Sequence, residues 1–137
     1  MSTTTTQVLV YARELLERAD PMTAGIWPRA TALLTRQALE ADLDDFWRRR
    51  APGIEDCSAR AQMLCLPSHL SANPDLASRV SHAWSALSAA CHAHAYELPP
   101  TSPELLRWLS TAEEFDAHVT ALTDGAFALT PVSVRRK

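Results

Sequence analysis

Apolar residues recur along this chain at spacings of three and four, the period of a helix face, and no stretch alternates apolar and polar residues long enough for a half-buried strand. From Val8, the positions Tyr11, Ala12, Leu15 and Ala19 predict a first helix, ended at Asp20-Pro21 because proline disfavours helix in the residue before it. A second and longest helix runs from about Pro28 to Arg50, where Ala51-Pro52-Gly53 stops it. With successive residues about 100° apart, Ala30, Leu33, Leu34, Ala38 and Ala41 share one side, and Leu39, Leu43, Phe46 and Trp47 the opposite one. A helix apolar on two sides is expected in the middle of a bundle. Gln37 falls among its small residues and is expected to be hydrogen-bonded internally, since a buried amide is costly without a partner.

Ser58 to Leu66 predicts a short third helix ended by Pro67, and Asn73-Pro74 reads as a cap followed by proline at the first helical position. From there Leu76, Val80, Ala83, Trp84, Leu87, Ala90, Cys91, His94 and Leu98 make the continuous stripe of a fourth helix, stopped at Pro99-Pro100. Thr101 with Glu104 reads as a capping box for a fifth, carrying Leu105, Leu106, Leu109, Ala112, Phe115, Val119 and Leu122, with room for a break at Ser110-Thr111. The pattern therefore predicts an all-α fold: a single bundle of about five helices over residues 8–124, a flexible Ser/Thr-rich N-terminus at 1–7 and a loosely held tail at 125–137.

Composition narrows this picture. The chain of 137 residues is long enough for one core, and its 47% hydrophobic and 21% charged residues exclude a disordered protein. A net charge of −3 lacks the footprint of non-specific nucleic-acid binding, so a nucleic-acid partner would need a local patch. Cys57, Cys65 and Cys91 are odd in number and irregularly spaced, which predicts reduced, buried thiols. With no basic leader and no long apolar run, the expected location is the cytoplasm, without membrane contact.

Candidate chemistry is sparse. Cys91, His92, His94 and Glu97 are metal-ligand types, but His92 and His94 point about 200° apart on a helix and cannot chelate one ion, so no metal and no cofactor are expected. Arg79 and His82, one turn apart, are the candidate catalytic pair, set against the plainer reading of a solvated surface. Ala86, Ala89 and Ala93 form a small-residue face suited to close packing by another helix of the bundle, a second copy or a partner protein. A small-molecule pocket, if present, would lie near Gln37, Trp84 and His94. Arg48-Arg49-Arg50 complements the negative end of the second helix, and with Arg60 and Arg135-Arg136-Lys137 would form a patch for phosphate groups if the fold brought them together. Trp27, Trp47, Trp84 and Trp108 read as core, and nucleophile elbows, glycine-rich phosphate loops and paired-cysteine motifs are absent from the sequence.

The run Ala32-Leu33-Leu34-Thr35-Arg36-Gln37-Ala38-Leu39-Glu40 resembles the core helix of HEPN domains, which commonly carries a Gln-Ala-x-Glu-like segment. His94-Ala95-Tyr96-Glu97-Leu98-Pro99-Pro100-Thr101, followed by Glu104-Leu105-Leu106, is similar to the loop entering their last helix, so the resemblance covers about residues 8–120. It implies a helical bundle, often dimeric, of a kind found as ribonuclease toxins, as partners of minimal nucleotidyltransferases and as non-catalytic modules of defence systems. The ribonuclease members place a histidine four to six residues after an arginine, and Arg79 to His82 is too short. The resemblance thus implies a non-catalytic member acting by self-association or partner binding. The alternatives are an RNA- or nucleotide-directed enzyme and a small-molecule-binding bundle.

Overall fold

The computed structural model describes the backbone of residues 2–18, 22, 26–92 and 98–135, and side chains within 4–123 of these. Five α-helices follow one another: α1 (Ser2–Arg18), α2 (Trp27–Arg50), α3 (Ala59–His69), α4 (Pro74–Cys91) and α5 (Ser102–Arg135), with a 3₁₀ turn at Ile54–Asp56 and no strand among the described residues. The all-α bundle is as the periodicity predicts. No described helix is long and apolar enough to cross a membrane.

α2 is the hub, packing against α1, α5, α4 and the 3₁₀ turn, while α3 rests on α4. Its central position agrees with the sequence reading, but the buried side differs. Pro28, Thr31, Ala32, Thr35, Ala38, Leu39, Asp42, Leu43, Phe46 and Trp47 are buried, one broad stripe at spacings of three and four that admits three polar residues. Leu33, Gln37 and Ala41 face outward instead. Gln37 therefore corrects the expectation of an internal amide: it is exposed. The internal amide is Gln62 of α3, which accepts from Trp47 Nε1 at 3.1 Å and donates to the carbonyls of Cys57 and Glu55 at 3.0 and 3.3 Å. One side chain thus ties α2, the 3₁₀ turn and α3 together with all its buried bonding groups engaged.

The helix starts follow their capping residues. Ser58 Oγ accepts from the Ala61 amide at 3.2 Å, and Asn73 Oδ1 accepts from that of Leu76 at 3.2 Å ahead of Pro74. The Thr101–Glu104 box closes in both directions, Thr101 N donating to Glu104 Oε1 at 2.9 Å and Glu104 N to Thr101 Oγ1 at 3.3 Å. Gly53 takes φ of 108°, a left-handed turn just past α2 that side-chain-bearing residues resist.

Four boundaries differ from expectation. α1 begins at Ser2, inside the Ser/Thr run, and Thr5 joins Leu9, Ala12 and Leu16 on its buried face while Tyr11 is exposed. α4 ends at Cys91 with His92 as its C-cap, short of the expected Leu98, which is exposed. α3 continues through Pro67 to His69, because proline near a helix end removes one backbone hydrogen bond while Leu66 and Leu70 remain buried in the core. α5 passes Ser110-Thr111 without a break, Thr111 being buried, and runs beyond position 125 to Arg135. The thiols also depart from expectation. All three cysteines are free, but Cys57 is exposed, and Cys65 and Cys91 are only half-buried.

Candidate functional site

The outer faces of α4 and α5 enclose an open groove of about 700 Å³. α4 delivers Ser78, Arg79 and His82 at spacings of one and three, so all three share one side of the helix. α5 delivers Pro103, Leu106, Arg107, Trp108, Ser110 and Thr111. Leu106 lies here at 44% exposure rather than in the core. Trp108 is buried, and its indole N–H has no hydrogen-bond partner among the described residues.

The structure places both residues of the sequence-nominated Arg79/His82 pair at this groove, but in different states. Arg79 Nε donates to Asp75 Oδ2 at 2.7 Å, and its two terminal nitrogens donate to Glu114 Oε1 and Oε2 at 2.8 and 3.0 Å. This two-pronged pair fastens α4 to α5 and holds the Glu114 carboxyl below its usual range. Three nitrogens of Arg79 are therefore committed to carboxylates, while His82 is exposed. Of the small-residue face, Ala86 is half-buried at the edge of the core and Ala89 is exposed, so among the described residues no helix covers Ala89. Ala93 and His94 lie outside the described residues.

Two residues of the proposed pocket grouping are described. Gln37 is exposed, and Trp84 is half-buried under the Arg36 guanidinium, 5.0 Å from the ring centroid. Arg36 Nε also donates to Ser88 Oγ at 3.3 Å. Burial pushes the nearby Cys91 thiol up, with the Arg36 charge opposing.

A second constellation escapes the sequence reading altogether. Asp42 of α2 and Asp116 of α5 are buried at 1% and 6% exposure. Thr6 Oγ1 of α1 donates to Asp116 Oδ2 at 2.8 Å. As two carboxylates, the pair would leave both oxygens of Asp42 and Oδ1 of Asp116 without a donor. Burial first, then the hydrogen bond to Asp116 and its charge, push the Asp42 carboxyl up to about 9, so Asp42 keeps its proton at neutral pH and donates it to Asp116. The resulting chain, Thr6 to Asp116 and Asp42 to Asp116, joins α1, α5 and α2 at their shared core. A carboxyl pair sharing one proton is also the arrangement of acid–base dyads, but here both carboxyls are buried where α1, α2 and α5 pack together. The sequence signal existed in the 3/4 spacing of positions 39, 42, 43, 46 and 47, which puts Asp42 on the buried stripe.

Comparison with known proteins returns no matching family model, no matching curated protein and no matching solved structure. The function has to be argued from the geometry of this chain.

Proposed function

We propose that this chain is a non-catalytic, HEPN-like helical module that works by pairing with a second copy of itself through the α4–α5 face. The observation that carries the reading is the uncovered groove between α4 and α5, with Leu106 half-exposed at its edge. Leu98, on the approach to α5, is 92% exposed. Exposed apolar side chains next to an apolar concavity favour burial against a protein surface. The charges on this face support a copy of the same chain as occupant. Arg79 and Arg107 are interspersed with Asp75, Glu104 and Glu114, so both signs of charge are present. A two-fold pairing sets a face against itself, so a face of mixed sign can match cation to carboxylate where a single-signed one would meet only repulsion. Ala89 would let the two α4 helices approach closely. The RNA- or nucleotide-directed alternative is less well supported, because the carboxylates of Asp75 and Glu114 already occupy Arg79.

Sedimentation equilibrium of the full chain tests this. The expected result is a reversible dimer that Leu106→Glu and Ala89→Arg each weaken at least about tenfold, given that withdrawing one leucine from water is worth about 1.5–3 kcal/mol. Circular dichroism confirms that both variants keep their helices. A wild-type chain that stays monomeric at about 100 µM, a concentration at which even weak pairing with Kd in that range is visible, overturns the reading. So does a dimer indifferent to both substitutions.

A further inference from the structure

A second, smaller hollow of about 160 Å³ lies where the ends of α2 and α3 meet the side of α5. Arg50, the last residue of α2, His69, the last residue of α3, and His118 of α5 all line it, with Ser71 and Asn73 of the turn into α4 alongside. We infer that this hollow is a binding site for a terminal phosphate group, of the kind carried by a phosphate monoester.

Three basic side chains from three helices converge on one cavity, and among the described residues no carboxylate lines it. Among the described residues Arg50, His69 and His118 form no ion pair, whereas Arg13 and Arg79 are each held by a glutamate. Burial, and then the nearby Arg50 charge, push the His118 imidazole down, and an anion bound between the two would oppose both effects. The rings are held in place before any ligand arrives. His69 meets Trp47 edge-on at 5.2 Å between centroids, and His118 lies nearly parallel to Phe115 at 6.5 Å and 11°. The charge class of the ligand follows. A metal ion would meet the Arg50 guanidinium, and among the described residues no three His, Cys, Asp or Glu side chains are grouped to ligate one. The size class follows as well. The hollow holds roughly five water volumes, room for a phosphate group. A monoester carries nearly two charges above its second pKa of about 6 and places one bulky substituent outward, whereas a diester carries one charge and two substituents. Ser71 and Asn73 add hydroxyl and amide donors of the type that phosphate oxygens accept. The sequence reading raised Arg48-Arg49-Arg50 as a phosphate patch with Arg60 and the terminal basic residues. The fold instead gives Arg50 two histidines far from it in sequence.

The test is a titration of the full chain followed by the histidine ring resonances in NMR, with inorganic phosphate, glycerol phosphate and dimethyl phosphate as probes. Phosphate and glycerol phosphate are expected to shift the His69 and His118 signals saturably, and to raise the His118 pKa, as a neighbouring anion does. Dimethyl phosphate is expected to bind at least about tenfold more weakly. Arg50→Gln is an exposed substitution expected to leave the fold intact, and should weaken phosphate binding by about tenfold, the loss of one charge-assisted hydrogen bond. Non-saturable shifts, equal binding of the diester, or unchanged binding by Arg50→Gln would each overturn the assignment.

Discussion

Asp42→Asn is the perturbation that most directly tests the physics of this core. Asp42 has a folded pKa of about 9 against an ordinary 3.8, so the folded state holds a proton that the unfolded state releases much earlier. Between these two values the unfolded chain gains free energy by ionising while the folded chain does not. Stability from this group is therefore greatest below the ordinary pKa, falls as pH rises through neutrality, and levels off above the folded pKa. At about 1.36 kcal/mol per pH unit, the loss between pH 4 and pH 7 is on the order of 4 kcal/mol, a large share of the roughly 5–15 kcal/mol that holds a domain folded. Asparagine is neutral in both states, and its amide can donate to Asp116 Oδ1 where the Asp42 proton did. Urea unfolding of the wild type and Asp42→Asn at about pH 4, 7 and 9 should show the variant gaining on the wild type by about 4 kcal/mol between the first two, and further by the third. Carboxylates elsewhere, such as Glu114, change both proteins alike and cancel in the difference. Two stability curves running parallel over the whole range would refute the protonated Asp42 and the shared-proton pair with it.

Two other substitutions probe the remaining buried polar contacts. Thr6→Val removes the donor to Asp116 Oδ2 and should lower stability by about 1–3 kcal/mol, the cost of a stranded buried acceptor, with faster amide exchange in the first turns of α1; an unmoved urea midpoint would show that this hydroxyl does not anchor the N-terminal helix. Gln62→Leu strands the Trp47 indole N–H and releases the carbonyls of Glu55 and Cys57, so a loss of about 2–4 kcal/mol is expected in chemical denaturation, and a neutral result would mean that water replaces the amide.

Local rules were legible where they are local. Asn73-Pro74, Ser58 and the Thr101–Glu104 box mark helix starts through bonds spanning three residues, and the structure realises each of them. The stripe of α4 was also legible, because Leu76, Val80, Ala83, Leu87 and Ala90 are apolar throughout. Reading only apolar positions failed on α2, where Thr31, Thr35 and Asp42 occupy the buried stripe and Leu33 and Ala41 do not. It failed for a related reason at the N-terminus, where threonines resemble a solvated tail until Asp116, 110 residues away, accepts a hydrogen bond from one of them.

What the sequence determined by itself was the helical period, the capped starts and the absence of strand, since these depend on neighbours within about one turn. Tertiary structure alone decided which amide is internal, which carboxyl keeps its proton, and that Arg50 shares a hollow with His69 and His118. Burial, charge coupling and convergence are properties of atoms brought together from distant positions. A protonation state or a binding hollow exists only after the helices have packed.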